Sequence, residues 1–471
     1  MKFFLLMVTI GSVLLTAVKI QAQTAKVLAA AWEKNHITTL PPSEVRLQEL
    51  KVYLEKLKML GLPVEEVGRS YEDREIFQIE WGRGKTKVFL WSQMHGNEPT
   101  ATSALIDMFA FLQKNRSLGW VRELERNLTI RAVPMLNPDG AERYRRTNAQ
   151  GIDINRDARA LETPEGRLLK HLRDEFEPDI GFNLHNQREL TTVGRTTDQA
   201  TFSLLAVGGD PELDPHPQFE RNKRISALIF QALSQFVPGH VARYDDDYTA
   251  TAFGDNFSDW GTPVILIETG GHQGHEQSFV VKLNFVAFLT ALNSLVDGSE
   301  KKIDLGLYDA IPENGGGRLF NVIFRNASVI KLLEPKKEEP VENSEPDGEQ
   351  EPVEKIPAPE KSPEPEKPAE FAEPVPAEVA VNTDRDRTGR IRSAYIERIG
   401  DLKYFKGLEE IDVSGFYLVS KSGRMENGFS GEFLFYKKGR KIDWRDPEFP
   451  KKTAPDAVWS NGRWIKPPGN R

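Results

Sequence analysis

Three places in this chain finish an apolar run on an imidazole or a carboxylate. "SQMHGNEPTATSAL", which starts at Ser92, sets His95 and Glu98 with two residues between them directly after "KVFLWS". "DIGFNLHNQ" delivers His185 in the same way, and "PVILIETGG" delivers Glu268 at the end of a run that reads as buried. A strand in a parallel sheet points its C-terminal end at the crevice where open α/β folds bind ligands. Charged groups are seldom buried without partners. Three such strand ends therefore imply one shared site rather than three core positions. His95, Glu98 and His185 make a zinc set with water in the fourth position, where the water's pKa falls to ~7. Glu268 is then placed to take a proton from that water as a general base.

The segment "NPDGAERYRRTNAQGIDINRD", from Asn137, carries Arg143, Arg145, Arg146 and Arg156, with Asn155 beside the last. Arginine suits a carboxylate because it donates two parallel hydrogen bonds. Alone the stretch reads equally as a solvated basic loop. Beside a metal site it reads as a clamp for an anionic substrate terminus. His272 and His275 in "GGHQGHE" have the residue types for a second metal, but a glycine-rich surface loop is the simpler reading. "VGGDPELDPHP" lacks a calcium-loop spacing and reads as a rim loop. No phosphate-cradling glycine loop and no Ser-His-Asp elbow is present.

The elements that must position these groups alternate in type. "REIFQIEWG", "KVFLWSQ", "LTIRAVPML", "DIGFNLH" and "TPVILIET" have the composition of strands. "LPPSEVRLQELKVYLEKLKML", "TATSALIDMFAFLQ", "EGRLLKHLRDEF", "QFERNKRISALIFQALSQF" and "VVKLNFVAFLTALNSLV" have helical spacing. The alternation predicts an α/β domain with a mixed, mostly parallel sheet and helices on both faces. Its expected bounds are 23–300. A small C-terminal β domain is expected in two parts, 301–333 and 384–471. Between them, 334–383 is almost wholly Glu, Pro, Lys and Ala and reads as a disordered linker.

Composition narrows the classes. The chain has 471 residues and a net charge of -8, which argues against a nucleic-acid binder. It has no cysteine, so disulfides, thiol nucleophiles and cysteine-held zinc are excluded. "MKFFLLMVTIGSVLLTAVKIQAQ" reads as a signal peptide over residues 1–22, with a periplasmic or secreted destination. No later segment reads as apolar enough to cross a membrane, and a monomer is expected.

"HGNE", "NPDG", "YRRTN…GIDINRD", "NLHNQ" and "ILIETGG", in that order, resemble the zinc carboxypeptidases of the carboxypeptidase A type, over roughly residues 40–295. The resemblance implies one zinc per chain, held by His95, Glu98 and His185, with Glu268 as base. It implies Arg145 as the residue that polarises the scissile carbonyl, and Asn155 with Arg156 as the pair that binds a free C-terminal carboxylate. Asp153 corresponds to a carboxylate that orients the first zinc histidine. Tyr248, in preference to Tyr244, corresponds to a tyrosine that closes over substrate. Ser258 falls where the family sets side-chain preference. The expected substrate is a peptide with a free C-terminus. The competing expectations are an amidase that trims peptidoglycan stem peptides, and a non-catalytic binding module.

Overall fold

The computed structural model describes residues 25–331, 373–386, 390–444, 446 and 449–468. The leader-like segment and most of the acidic segment lie outside the described residues. The chain forms two compact units, the first running to Leu319 and the second built mostly of residues from Phe320 onward.

The first unit opens with α1 (residues 25–35), α2 (Leu47–Met59), β1 (Val64–Arg69), β2 (Glu75–Gly82) and β3 (Thr86–Ser92). It continues with α3 (Thr100–Lys114), α4 (Gly119–Asn127), β4 (Leu128–Val133), α5 (Pro138–Arg143), α6 (Pro164–Phe176), β5 (Ile180–Asn186) and β6 (Thr192–Val193). It ends with β7 (Phe202–Ala206), α7 (Phe219–Leu233), β8 (Val241–Arg243), α8 (Phe253–Asp259), β9 (Val264–Thr269), α9 (Gln277–Asp297), α10 (Leu305–Asp309) and β10 (Asn314–Gly315). Eight strands form one sheet in the order β1-β2-β4-β3-β5-β9-β7-β8. The centre, β4-β3-β5-β9, is parallel, and β7 runs antiparallel to β9.

The central strands are buried on both faces, which explains their near-continuous apolar runs. Val88 and Leu90 of β3 face one core layer with α3, α4 and α9, while Phe89 and Trp91 face the other with α6 and α8. On β5, Phe182 and Leu184 belong to the first layer, so Asn183 and His185 project to the second side. On β9, Val264 and Leu266 face that same second side, and Glu268 continues their alternation.

Strand β7 was not anticipated, because the apolar run "FSLLA" merges into the glycine-rich stretch that follows it. It is fully buried against β9. α9 corrects a second expectation: it is long and apolar enough to cross a membrane, with a mean hydropathy of 1.8. Two-thirds of it is buried within the unit, where it packs against α3 and α7. An apolar helix enclosed by others needs no lipid.

The domain bounds also shift. Residues 301–319 belong to the first unit, where the buried Tyr308 hydroxyl accepts from Ala206 N–H at 2.9 Å. The second unit holds β11 (Leu319–Ile330), β12 (Val375–Arg385), β13 (Ile391–Gly400), β14 (Lys406–Asp412), β15 (Phe416–Ser420), β16 (Phe433–Lys437), α11 (Phe449–Lys452), β17 (Ala457–Ser460) and β18 (Arg463–Lys466). Its sheet order is β13-β12-β11-β15-β16-β17-β18, with β14 on β11. β12 overturns the expected linker end at 383. Its Val379 and Val381 alternate into a core with Phe324, Phe433 and Trp459, a period-2 pattern hidden by neighbouring Pro and Glu.

One buried carboxylate fastens the N-terminal helix. Asp107 of α3 accepts from Trp32 Nε1, Ile37 N, Thr38 N and Thr38 Oγ1 at 2.8–3.0 Å. Asp107→Ala would strand four donors. It is expected to lower unfolding free energy by at least about 3 kcal/mol in denaturant titration.

Candidate metal centre

Chain geometry after β3 builds the first half of the site. Gln93 takes a left-handed backbone conformation (φ 50°), and the chain turns through Met94 to His95. Leu136 N and Asn137 N donate to the carbonyls of Ser92 and Gln93. The Asn137 amide donates to Met94 O at 3.0 Å and accepts from Gly140 N at 2.8 Å, capping α5. Gly96 packs directly on the backbone of Gly140 and Ala141, where a Cβ would overlap them. "HGNE" and "NPDG" are thus two halves of one interlock.

β5 lies between β3 and β9, so the C-terminal ends of three neighbouring strands meet. His185 of β5 pairs in register with Glu268 of β9. His95 Nδ1 lies 2.9 Å from Glu98 Oε1, and His185 Nδ1 lies 2.8 Å from Glu98 Oε2. The two Nδ1 atoms are 3.1 Å apart. Ligand atoms of His95, Glu98 and His185 all fall within 4.8 Å of one another, and all three residues are buried. Two imidazole nitrogens with nothing but each other and a carboxylate to face make a donor set suited to a divalent ion, and zinc takes N and O ligands of this kind.

Around the cluster, Asp153 Oδ1 lies 2.9 Å from His95 Nε2 and accepts from Asn155 N. A carboxylate on the far ring nitrogen fixes the tautomer that leaves Nδ1 free to bind. Arg146 joins the two acids, with Nε 2.9 Å from Asp153 Oδ2 and Nη1 3.2 Å from Glu98 Oε1. Burial opposes ionisation of Glu98, but the facing histidines outweigh it and hold its carboxyl well below the usual range. Burial likewise opposes charge on His95, yet Glu98 and Asp153 raise its pKa, whereas burial lowers that of His185. Burial and the Glu98 charge push Glu268 up to about 8. Glu268 Oε2 has no hydrogen-bond partner.

His95, Glu98, Arg146, His185 and Glu268 line a cleft of about 870 Å³ with Asn155, Arg156, Tyr244, Asp246 and Asp255. The four arginines of the basic segment divide sharply. Arg143 is engaged by Glu72, which also binds Arg74, itself paired with the buried Asp139. Arg145 is exposed and does not line the cleft, whereas Arg146 does. Tyr144 caps α5 in the left-handed region (φ 49°, ψ 54°), and beyond it Arg146, still 45% exposed, reaches Glu98 and Asp153. Asn155 and Arg156 do line the cleft, and Asn155 Oδ1 accepts from Phe253 N at the start of α8.

Two further expectations are corrected. Tyr248 does not line the cleft; its hydroxyl is held by Arg159 at 2.9 Å and Asp210 at 3.3 Å. Tyr244 lines it instead, because its N–H bonds to Leu204 O and carries the β8 pairing onward. Ser258 is buried one helical turn past the cleft, 3.4 Å from Val207 O, and Asp255 is the α8 side chain on the wall. His272 bonds to Thr201 and its ring lies tilted beside that of His275, but the only metal-type cluster among the described residues is the His95–Glu98–His185 set.

Residues 60–213 match the family described as zinc carboxypeptidase. Curated members similar to it include Carboxypeptidase 2 of Trichophyton rubrum, 32% identical over 101 residues, and human Carboxypeptidase D, 24% identical over 182 residues. The first alignment covers 21% of this chain and 18% of the relative, and the second covers 31% and 13%. The chain therefore spans less than a fifth of the length of either relative. Among solved structures, a metallo-carboxypeptidase from Burkholderia cenocepacia aligns with a TM-score of 0.45 at 20% identity, covering 54% of this chain and 69% of that one. The family's zinc dependence agrees with the donor set.

Two outcomes follow from this geometry. The hydrogen bonds from Arg143 and Arg74 depress Glu72 to about 2 from a usual 4.5, so its stabilising contribution is complete above pH 4.5 and lost as pH falls towards 2. The difference in thermal midpoint between wild type and Glu72→Gln should shrink across that window. For the metal, chelator competition should find one tight zinc in wild type and none in His185→Ala. Asp153→Ala should weaken zinc affinity by about 10–100-fold.

Proposed function

We propose that this chain is a zinc metallocarboxypeptidase that hydrolyses the C-terminal peptide bond of its substrate. The observation that carries the reading is the placement of Glu268, with an unpartnered oxygen, in register with His185 at the mouth of a three-residue donor set. Zinc held by His95, Glu98 and His185 would supply Lewis acidity to a water molecule and to the scissile carbonyl. Glu268 takes a proton from the attacking water and returns it to the leaving amine. A neighbouring divalent charge favours the ionised form of Glu268, against the burial that raises its pKa. Arg146 faces the cluster and donates to the oxyanion that develops on the carbonyl. Asn155 and Arg156, further along the cleft, hold the free carboxylate and restrict cleavage to chain ends. A binding module without turnover would not need a base, and this chain has one beside a complete donor set.

Turnover of acylated dipeptides tests the assignment. Glu268→Gln should retain zinc yet lose about 10²–10⁴-fold in kcat. Arg146→Ala should lose about 10²–10³-fold, while Arg145→Ala stays near wild type. Equal losses at Arg145 and Arg146, or full turnover in Glu268→Gln, would remove the proposed roles.

A further inference from the structure

Strands β7 and β8 begin where β9 ends. Phe202 of β7 pairs with Thr269 of β9 on one side and with Val241 of β8 on the other. The residues one step beyond, His240, Thr201 and Gly270, continue as a row. Thr201 N donates to His240 O and Gly270 N donates to Thr201 O, each at 2.8 Å. His272 follows directly, and a turn closed by His275 N on His272 O at 3.1 Å brings His275 beside it. The glycine-rich loop is therefore anchored. Gln273 N donates to Gln199 Oε1 at 2.8 Å, and a Cβ on Gly270 would stand 2.5 Å from Ala200 O.

Three imidazoles from two distant parts of the chain meet here. The rings of His240 and His272 lie 4.8 Å apart, centre to centre, and those of His272 and His275 lie 5.1 Å apart. The rings of His95 and His185 stand at 4.7 Å. Two imidazoles held at about 2.0–2.1 Å on one tetrahedral ion put their ring centres roughly 5 Å apart, so both spacings suit shared ligation. His240 Nδ1 donates to Gln199 O at 2.6 Å, which makes Nε2 the lone-pair nitrogen. His272 Nδ1 faces the Thr201 hydroxyl at 2.7 Å, an oxygen able to accept in the same tautomer. Burial, with His240 and His275 adjacent, lowers His272 to about 4, so at neutral pH it holds no proton for an ion to displace. Phe279 of α9 backs the group, its ring stacked on that of His275 at 4.1 Å. The donor atoms do not all fall within 4.8 Å of one another as those of His95, Glu98 and His185 do. His275 is exposed, next to Gly274 in the left-handed region (φ 80°), and is the ring with room to turn.

We propose that His240, His272 and His275 form a second, weaker metal site for a late first-row divalent ion, nickel, copper or zinc, which His275 completes by turning inward. An all-imidazole set suits these ions and not calcium or magnesium, which take oxygen ligands. A bound ion ties the loop after β9 to the start of β8. His272 lies four residues past Glu268, so the ion braces the segment that carries the candidate base.

Calorimetric titration of the tag-free, zinc-loaded full chain with nickel chloride tests the site, with zinc content measured before and after. One nickel per chain should bind without loss of zinc, and the thermal midpoint should rise. His272→Ala should abolish this binding. His275→Ala, a change at an exposed position, should weaken it by at least about tenfold, with circular dichroism confirming that both variants are folded. His185→Ala should still take up nickel at this site with the wild-type affinity, which keeps the result independent of the catalytic reading. Absence of nickel binding in wild type, nickel entering only in exchange for zinc, or an affinity unchanged in both His272→Ala and His275→Ala would overturn the proposal.

Discussion

A single buried carboxylate organises the molecule. Glu98 is almost wholly enclosed, and it faces two imidazoles, a backbone amide and a guanidinium. Taking a carboxylate out of water costs several kcal/mol unless geometry and hydrogen bonds compensate. Here the compensating groups come from three separate elements, the turn after β3, the end of β5 and the loop before Asp153. The site therefore exists only while β3 and β5 are neighbours and the two glycines, Gly96 and Gly140, remain in contact. Replacing one of these partners would leave the buried charge less well compensated, and the surrounding loops are pinned by Asn137, Asn148 and Asp153.

The cleft contrasts with that cluster. Within the donor set nearly every polar atom is answered by the protein. Along the walls several are not: Glu268 Oε2 and Asn183 Oδ1 lack partners among the described residues. Buried polar networks are rigid when satisfied and costly when they are not. The satisfied part behaves as a preformed holder, and the unsatisfied part marks where a ligand's own donors would complete the structure. The catalytic proposal is a reading of that division.

Several elements were legible because their period and composition agree. The runs of β3, β5 and β9 read as buried strands, and the parity of residues along β5 and β9 puts His185 and Glu268 on one face. β7 was not legible, since five apolar residues before a glycine-rich loop give no periodic signal. β12 was hidden by composition, because Pro and Glu masked the inward Val379 and Val381. α9 has the hydropathy of a membrane span, and only its neighbours α3 and α7 show that its apolar surface is already covered.

The sequence by itself pointed to His95, Glu98, His185 and Glu268 meeting at neighbouring strand ends, and its family resemblance pointed to Asp153, Asn155 and Arg156 beside them; the structure places all seven around one cluster and cleft. Tertiary structure decided the rest. It turned Arg146 rather than Arg145 to the cluster through one left-handed residue, and brought Tyr244 rather than Tyr248 to the cleft by extending a strand. It also set Asp255 rather than Ser258 on the wall through the placement of α8. For the arginine and the tyrosine the residue type was the expected one and the position was not; on α8 both differed. A one-residue change in a loop or one turn of a helix redirects a side chain entirely, and only packing chooses between the alternatives.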